Sequence, residues 1–335
     1  MNIKLKQPWL FVIGGLVAGI LLSVGILALR NDWGNTTSMG QKDMDRAMQS
    51  MMGVKTADAL PRKKATDQKP LEPTVIGDVK EFTLTAEPIA WEYASGKTIT
   101  AWAYNGQIPG PKVHVKEGDK VRVKLVNKLP KATTVHWHGI NVPYTMDGVP
   151  GVSQEAVKPG ETFIYEFTAT PAGTHFYHTH GSAHSDEAQQ MDMGLSGVFI
   201  VEPANYQKPD KEFTLVLDDW QKNGNDFNMG MMDMGMNHNT MNYNLFTING
   251  LSAPDAKPLD VKQGDKVRIR LINASSSTTH PMHLHGHQFT VVAEDGNELP
   301  PAQQRTRNTI TLNPGETYDV EVTANNPGVW AFHCH

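Results

Sequence analysis

Cysteine is almost absent from this chain of 335 residues, in which Cys334 is the only one. A single cysteine excludes an internal disulfide, so stability must come from core packing, bound metal or oligomerisation. An excess of positive charge is also lacking, because 30 basic residues stand against 35 acidic ones and the net charge is -5. That balance excludes the basic surface that nucleic acid requires. At this length the chain has room for two domains, each with its own core.

Charge is missing entirely from residues 9–29, an apolar run preceded by Lys4 and Lys6. The run is long enough to span a bilayer as a helix. It is longer than the apolar region of a cleaved signal peptide, and no A-x-A pattern precedes Arg30. We therefore predict that residues 1–30 are an uncleaved transmembrane anchor with its lysines in the cytoplasm; the alternative is a buried core helix. The protein would be a single-pass protein of the cell membrane with its remaining residues outside, joined by a polar tether, residues 31–74.

Two halves of the chain repeat each other. The stretch "VKEGDKVRVKLVN" at residues 115–127 matches "VKQGDKVRIRLIN" at 261–273, and "PGETFIYEFTATPAGTHFYHTH", ending at His180, matches "PGETYDVEVTANNPGVWAFHCH", ending at His335. Such self-similarity indicates a tandem duplication. Each copy alternates apolar and polar residues between "EGD", "QGD" and "PGE" turns, which predicts antiparallel strands in a Greek-key sandwich. The prediction is an all-β fold with domain 1 at residues 75–205 and domain 2 at 206–335.

Histidine pairs stand at the same places in both copies. They are His136 and His138 in "HWHG", His178 and His180 in "HTH", His283 and His285 in "HLHG", and His333 and His335 in "HCH". Residues two apart on a strand point to one face, so each pair can hold a metal. Eight imidazoles facing one another would be costly unless a cation replaced their protons. Imidazole suits copper, zinc, iron and nickel, which leaves the metal open at this step.

The lone cysteine narrows the choice of metal. Cys334 is the middle residue of a histidine pair, so its side chain points away from both neighbours into its own domain, where His280 of "HPMHLH" can reach the same interior. A thiolate with imidazoles in a trigonal site is the blue-copper arrangement, whereas the alternative is a small buried apolar residue. Thr179 takes the place of Cys334 in the first copy. A hydroxyl cannot replace the thiolate, so we predict no such site in domain 1.

These four motifs, together with "HPMHLHGHQF" and "GVWAFHCH", resemble the multicopper oxidases over residues 74–335. Two repeats with a cysteine only in the second resemble the two-domain, laccase-like group. The resemblance implies four copper ions, and it assigns His280 and Cys334 to type 1 copper, His136 and His283 to type 2 copper, His138, His178 and His335 to one type 3 copper, and His180, His285 and His333 to the other. It also implies that Asp147, in "MDGVPG", supplies protons near the trinuclear cluster, and that domain 1 of one chain faces domain 2 of the next in a homotrimer.

The activity implied by the resemblance is one-electron oxidation of a small reducing substrate, coupled to the reduction of O2 to water. Phenols, Cu(I), Mn(II) and Fe(II) all remain open as donors. Residues 228–242 hold six methionines and His238, a composition typical of Cu(I) handling or of a loosely packed loop. The alternatives are a copper-storage or detoxification protein and an enzyme like copper nitrite reductase, which keeps its cysteine site in the first domain. The remaining histidines, His114, His175, His184, His238 and His287, are expected around the site or on the surface.

The first copy continues beyond its second histidine pair through "GLSGVFIVEP" to Pro203, whereas the sequence of the second copy stops at His335. By that internal template, we expect domain 2 to lack its closing strand. The resemblance places a second type 1 histidine and a weak axial ligand a few residues beyond His335. The expectation is a C-terminally truncated chain that is inactive as an oxidase by itself.

Overall fold

The first copy of the repeat folds into β-strands from its beginning to its end. The computed structural model describes residues 59–65, 68–183, 186–221 and 243–335. We call the following strands domain 1: β1 (Arg62–Lys64), β2 (Thr74–Ile76), β3 (Val79–Ala94), β4 (Lys97–Tyr104), β5 (Gly110–Lys116), β6 (Lys120–Asn127), β7 (His136–His138), β8 (Thr162–Thr168), β9 (Gly173–His178) and β10 (Ser196–Glu202). A short helix, α1 (Glu187–Asp192), and a 3-10 turn, Tyr144–Met146, interrupt them.

The second copy gives the strands that we call domain 2. They are β11 (Lys211–Trp220), β12 (Leu245–Ile248), β13 (Lys266–Asn273), β14 (His280–Leu284), β15 (Phe289–Glu294), β16 (Asn297–Glu298), β17 (Arg305–Arg307), β18 (Thr309–Leu312), β19 (Thr317–Thr323) and β20 (Phe332–Cys334), with a 3-10 turn at Pro301–Gln303. The predicted boundary at 205–206 falls in the connection between β10 and β11.

Each domain contains two sheets. Domain 1 has a sheet in the order β1-β3-β6-β8, with β2 and β4 also on β3, and a second sheet in the order β5-β10-β9-β7. Domain 2 has a sheet in the order β12-β11-β13-β19-β15-β16, with β17 on β15, and a second sheet in the order β18-β14-β20. The predicted all-β fold is confirmed, but the prediction of purely antiparallel strands is wrong, because β3–β6, β5–β10 and β11–β13 pair in parallel. Alternation fixes which face a side chain takes and not the direction of the neighbouring strand.

The core of each domain lies between its two sheets, where the alternating residues meet. Val121, Val123 and Leu125 of β6 are buried in domain 1, as are Val267, Ile269 and Leu271 of β13 in domain 2. Trp137, between the histidines of β7, is fully buried against Tyr165, Phe167, Tyr177 and Phe199. A side chain of this size in the core anchors β7, so the two histidines beside it are presented on the opposite face.

The two domains touch through β9 of domain 1 and the larger sheet of domain 2. Thr174 of β9 donates its hydroxyl to Asp319 of β19 at 2.7 Å, and its carbonyl accepts the hydroxyl of Thr317 at 3.0 Å. Tyr206, in the connection between the domains, lies under the guanidinium groups of Arg268 and Arg270. All of these residues belong to one compact unit, Gly53–His335.

Several predicted segments lie wholly or partly outside the described residues. These are the anchor at residues 9–29, most of the tether, and the methionine-rich residues 228–242. The end of the tether segment is part of the fold, because β1 pairs with β3 and Leu60 and Ala65 are buried. Within the described ranges, no helix has the length and apolar character needed to cross a membrane.

Candidate metal centre

The histidines of domain 1 converge at the ends of two paired strands. β7 and β9 are antiparallel, with His136 opposite His178, and His138 lies on the same face of β7. The ring of His180, two residues beyond His178, lies 5.9 Å from the ring of His136. Ligand nitrogens of His136, His138 and His178 lie within 4.8 Å of one another. The structure therefore brings together the four predicted histidines of the first copy.

Hydrogen bonds fix which nitrogen these rings can offer to a metal. Nδ1 of His136 lies 2.8 Å from the carbonyl oxygen of Asp147, and Nδ1 of His178 lies 2.8 Å from that of Thr179. A carbonyl only accepts, so each Nδ1 carries the proton and Nε2 keeps its lone pair. The carboxylate of Asp147 is 3.3 Å from the same nitrogen of His136, which puts the predicted acidic residue beside the cluster.

Burial keeps two of these imidazoles, His138 and His178, neutral. It lowers the pKa of His138 to about 4, and the neighbouring His136 and His175 act in the same direction. The pKa of His178 also lies well below its ordinary value, chiefly because the ring is buried and secondly because of His136 and His138. Neutral imidazoles with free lone pairs are the form that binds a transition metal. The donor set therefore fits a metal ion of the copper type.

Domain 2 repeats this arrangement on β14 and β20. His283 pairs with His333 in the antiparallel register, and the rings of His285 and His335 lie 4.7 and 5.7 Å from the ring of His283. Nδ1 of His283 lies 2.8 Å from the carbonyl oxygen of Asn308, and Nδ1 of His333 lies 2.9 Å from that of Cys334. His283 and His285 line an open groove of about 1130 Å³. This half of the site is more exposed than the half in domain 1.

The two half-clusters do not meet within the described part of the chain. His136, His138 and His178 form the one group there in which three histidine, cysteine or acidic side chains place ligand atoms within 4.8 Å of one another. That group contains no residue of domain 2. A trinuclear cluster would need histidines from both copies, and in the described part of one chain the histidines of domain 1 and domain 2 do not come together.

Cys334 and His280 approach each other beside the domain 2 cluster. The thiol sulfur of Cys334 is 3.6 Å from Nδ1 of His280, and His280 is almost fully buried. On the other side of the ring, Nε2 lies 3.1 Å from Oδ1 of Asp219, at the end of β11. Cys334 is exposed as a residue, but partial burial of its thiol raises the pKa of that group, and the charge of Asp219 acts in the same direction. In the absence of a metal, the thiol is therefore held in its neutral form.

The corresponding place in domain 1 holds a completed network of polar groups. Thr133 precedes His136 by three residues, as His280 precedes His283. Its hydroxyl shares a hydrogen bond of 2.8 Å with Thr179, and Thr179 donates to Oε1 of Gln190 at 3.2 Å. Both threonines and Gln190 are fully buried. These partners satisfy each other without a metal.

Further acidic groups lie beyond His280 in the interior. Asp218 and Asp219 are neighbours on β11, and Asp192 of α1 accepts the hydroxyl of Tyr243 at 2.7 Å. Burial raises the pKa of Asp192 to about 7, with a smaller contribution from Asp219, and raises that of Asp218 well above its ordinary value. These acidic residues lie between the end of α1 and the part of domain 2 that contains His280.

Sequence analysis missed several residues around the histidines. Asp219 is in the unremarked stretch "LDDW", and its contact with His280 joins two strands that are distant along the chain. The repeat itself was a signal for Thr133, because it aligns with His280. Of the histidines without assigned roles, His114 pairs with Glu202 and His287 lies against Trp330. His175 is buried between the domains, and His184 and His238 lie outside the described residues.

The two sandwiches, the paired histidines and the convergence of Cys334 with His280 define a copper-binding protein of the cupredoxin type. Two models of the multicopper oxidase family match the chain, at residues 85–206 and 221–335. The chain belongs to the multicopper oxidases. Type 1, type 2 and type 3 copper are the cofactors of that family.

Individual relatives agree with this assignment. The blue copper oxidase from Nitrosomonas europaea is 34% identical, with a TM-score of 0.68 over 76% of this chain and 79% of that one. An L-ascorbate oxidase of Brassica rapa subsp. pekinensis is 33% identical over 70% of this chain and 46% of its own length. Copper resistance protein A of Pseudomonas syringae pv. tomato is 29% identical over 68% of this chain and 43% of its own. The chain spans less than half the length of these two curated relatives.

Proposed function

We propose that the protein oxidises a small reducing substrate one electron at a time and uses the electrons to reduce O2 to water. The observation that carries this is the convergence of Cys334 and His280 beside His333 and His335, with a second set of paired histidines in domain 1. Copper, when bound, supplies the one-electron redox chemistry of both sites. The peptide bonds on either side of Cys334 connect its thiol directly to the two cluster histidines, which gives electrons a short covalent path.

The chain's own residues have distinct tasks in this proposal. His280 and Cys334 would hold type 1 copper, and His136 and His283 type 2 copper. His138, His178 and His335 would hold one type 3 copper, and His180, His285 and His333 the other. The carboxylate of Asp147, beside His136, would deliver protons to oxygen as it is reduced. The donor stays open among phenols, Cu(I), Mn(II) and Fe(II). Asp219, which lies 3.1 Å from Nε2 of His280, is completely buried and would orient that ring.

Assembly as a head-to-tail homotrimer is part of the same proposal. Within the described residues the histidines of the two copies stay apart, and His283 and His285 line an open groove that a second domain 1 would cover in such an assembly. A heterologous contact of this kind closes into a ring when the rotation permits. The uncharged residues 9–29 support a single-pass anchor in the cell membrane, with the copper domains on the extracellular side.

The test compares Cys334→Ser with Thr179→Ser, its counterpart in the first copy. Both variants are made in the copper-loaded protein. Cys334→Ser should abolish the blue absorption and the oxygen uptake with every donor, while copper remains at the histidine cluster. Thr179→Ser keeps its hydroxyl and should change neither. A blue Cys334→Ser protein would refute the ligand assignment, and a copper-loaded monomer in detergent with full copper content would refute the trimer.

Copper storage or detoxification is the second candidate. The six methionines of residues 228–242 favour it, because thioethers suit Cu(I), and copper resistance protein A is among the relatives. Storage predicts copper binding without oxygen uptake on phenols, Cu(I), Mn(II) or Fe(II). Oxygen consumption with any of these donors that depends on Cys334 would exclude it as the sole function.

A further inference from the structure

A carboxylate from α1 lies against one of the cluster histidines. Oε2 of Glu187 is 3.3 Å from Nδ1 of His180, and both side chains are largely buried, with 23% and 16% of their surfaces exposed. Glu187 is the first residue of α1, which follows the loop that begins after His180. The loop between His180 and α1 therefore turns back, so that Glu187 at its end contacts His180 at its beginning.

This partner differs in charge from the partners of most other cluster histidines. His178, His283 and His333 each place Nδ1 within 2.8 to 2.9 Å of a neutral backbone carbonyl oxygen. His136 does the same and has the carboxylate of Asp147 at 3.3 Å in addition. At His180 a carboxylate oxygen lies 3.3 Å from Nδ1, as a charge contact and not as a hydrogen bond of standard geometry. The difference is physical, because an anion stabilises positive charge on the imidazole more strongly than a carbonyl dipole does.

The position of Glu187 is determined by the hydrogen bonds of its neighbours in α1. Asp186 accepts the backbone N–H groups of Ser182 and Ala183 at 2.8 and 3.0 Å, which holds the turn before the helix. Gln190 accepts the hydroxyl of Thr179 and donates to the carbonyl of Ala132 at 2.9 Å. These bonds tie α1 to the segments that carry the histidine pairs. The carboxylate is thus fixed relative to the cluster.

We propose that Glu187 is a positioning residue for His180, which orients the ring through Nδ1 and strengthens its grip on copper through Nε2. The proposal rests on the proposed function, since it requires copper at His180. A carboxylate that accepts Nδ1–H fixes the tautomer and makes the opposite nitrogen a better donor, and loss of such a partner typically weakens metal binding about 10- to 100-fold. By the ligand assignment above, the copper held by His180, His285 and His333 would depend on Glu187 more than the copper held by His138, His178 and His335.

The test measures copper affinity in two variants. One removes the charge of the side chain at residue 187, and the other shortens that side chain. Glu187→Gln keeps the length of the side chain and removes its charge. Glu187→Asp keeps a carboxylate in the first turn of α1, where an anion favours the helix, but withdraws it from His180 by about one carbon–carbon bond, roughly 1.5 Å. The metal-free protein is titrated with Cu(II) against a competing chelator. In both variants the affinity for the copper held by His180, His285 and His333 should fall at least about 10-fold. The type 3 absorption and the reduction potential of that copper should change with it.

Glu155→Gln is the matched control, because Glu155 is an exposed carboxylate of the same domain. It should bind copper like the parent. A merely structural role for Glu187 would appear instead as a lower unfolding temperature of metal-free Glu187→Gln with unchanged copper affinity and spectrum, and would overturn the proposal. Affinities within two-fold of the parent in both variants would overturn it as well. A parent protein that binds no copper at its histidines would refute the proposed function first, and this inference with it.

Discussion

The same strand pair of the repeat lies on the surface in domain 1 and in the interior in domain 2. In domain 1, Arg122 of β6 binds Glu166 of β8 at 2.6 Å, and the Glu166 side chain is 56% exposed. In domain 2, Arg268 of β13 stands at the equivalent place and binds Asp319 of β19, which is 1% exposed. The position of Asp319 is taken in domain 1 by Ile164, 48% exposed. The same sequence motif is therefore exposed in domain 1 and buried in domain 2, because β9 of domain 1 covers β13 and β19 of domain 2 and does not cover β6 and β8.

This asymmetry bears on how the copper cluster is completed. The larger sheet of domain 2 is occupied by domain 1 of its own chain, through Thr174, Asp319 and Arg270. The histidines of domain 2 lie on its other sheet, where His285 and His335 are exposed. In the proposed ring, a second domain 1 would contact that sheet. The duplication therefore provides two different surfaces on domain 2, and both would be used in a head-to-tail ring.

Asp319→Asn is expected to have the largest effect on this comparison. Its carboxylate accepts hydrogen bonds from Arg268 at 2.7 and 2.9 Å, Arg270 at 2.8 Å and Thr174 at 2.7 Å. Removing the charge leaves two buried arginines without their main partner, which typically costs about 3–5 kcal/mol. Urea unfolding of the metal-free protein measures the loss. A change below about 1 kcal/mol would show that water reaches this interface and that the two copies are alike.

Asp192 tests the same interface through pH, because it is held by the hydroxyl of Tyr243 rather than by an arginine. Its pKa is about 7 in the folded protein against 3.8 for an ordinary aspartate, chiefly because it is buried. Between these values the folded state keeps a proton that the unfolded state releases. The free energy of unfolding should therefore fall as pH rises, by up to about 1.4 kcal/mol per pH unit from this group.

Asp192→Asn should remove the contribution of Asp192 to the fall of unfolding free energy with pH. The metal-free variant should therefore gain stability relative to the parent as the pH approaches 7. Unfolding free energies of parent and variant, measured at several pH values between 3.8 and about 7, give the difference directly. Parallel pH profiles in the two proteins would contradict the burial of an acid at this place.

The sequence predicted the parts of the site that depend on a period of two and on the repeat. His136 and His138 lie on β7 and His283 lies on β14, and His136 and His283 each stand opposite a histidine of the second pair of their own copy. Cys334 points to the other side of β20, toward His280, as alternation requires. Local geometry decides these contacts, so a single sequence is enough to find them.

Contacts between distant elements were not predicted. Asp219 of β11 contacts His280 of β14 although the two strands belong to different sheets, and Glu187 reaches His180 only because α1 folds back over the loop. Arg268 has sequence neighbours similar to those of Arg122, yet Arg268 is buried and Arg122 is not. The packing of one domain on the other decides burial here, and a strand pattern contains no information about that packing.

Thr179→Val and Cys334→Ala compare the two equivalent places beside the histidines in the metal-free protein. Thr179→Val removes a hydroxyl that bonds Thr133, Gln190 and the N–H of Gly181, and leaves these buried groups unsatisfied at a cost of about 1–3 kcal/mol. Cys334→Ala removes a thiol from a residue that is exposed, and should cost less. Urea unfolding of both variants gives the ranking. The reverse order would mean that the cysteine site is closed without copper and that the threonine network contributes little.

Glu166→Gln should have the smallest effect, although it removes the carboxylate that binds the counterpart of Arg268. The pair of Glu166 with Arg122 is short, at 2.6 Å, but lies in solvent, where the attraction is screened and both side chains lose freedom. Arg122 also keeps a second partner in Glu81 at 3.2 Å. No measurable change in the urea midpoint is expected, and added salt should not alter that result. A loss of unfolding free energy close to that of Asp319→Asn would mean that the outer sheet of domain 1 is covered in the assembled protein. At high dilution a ring would dissociate. Glu166→Gln should then again cost much less than Asp319→Asn.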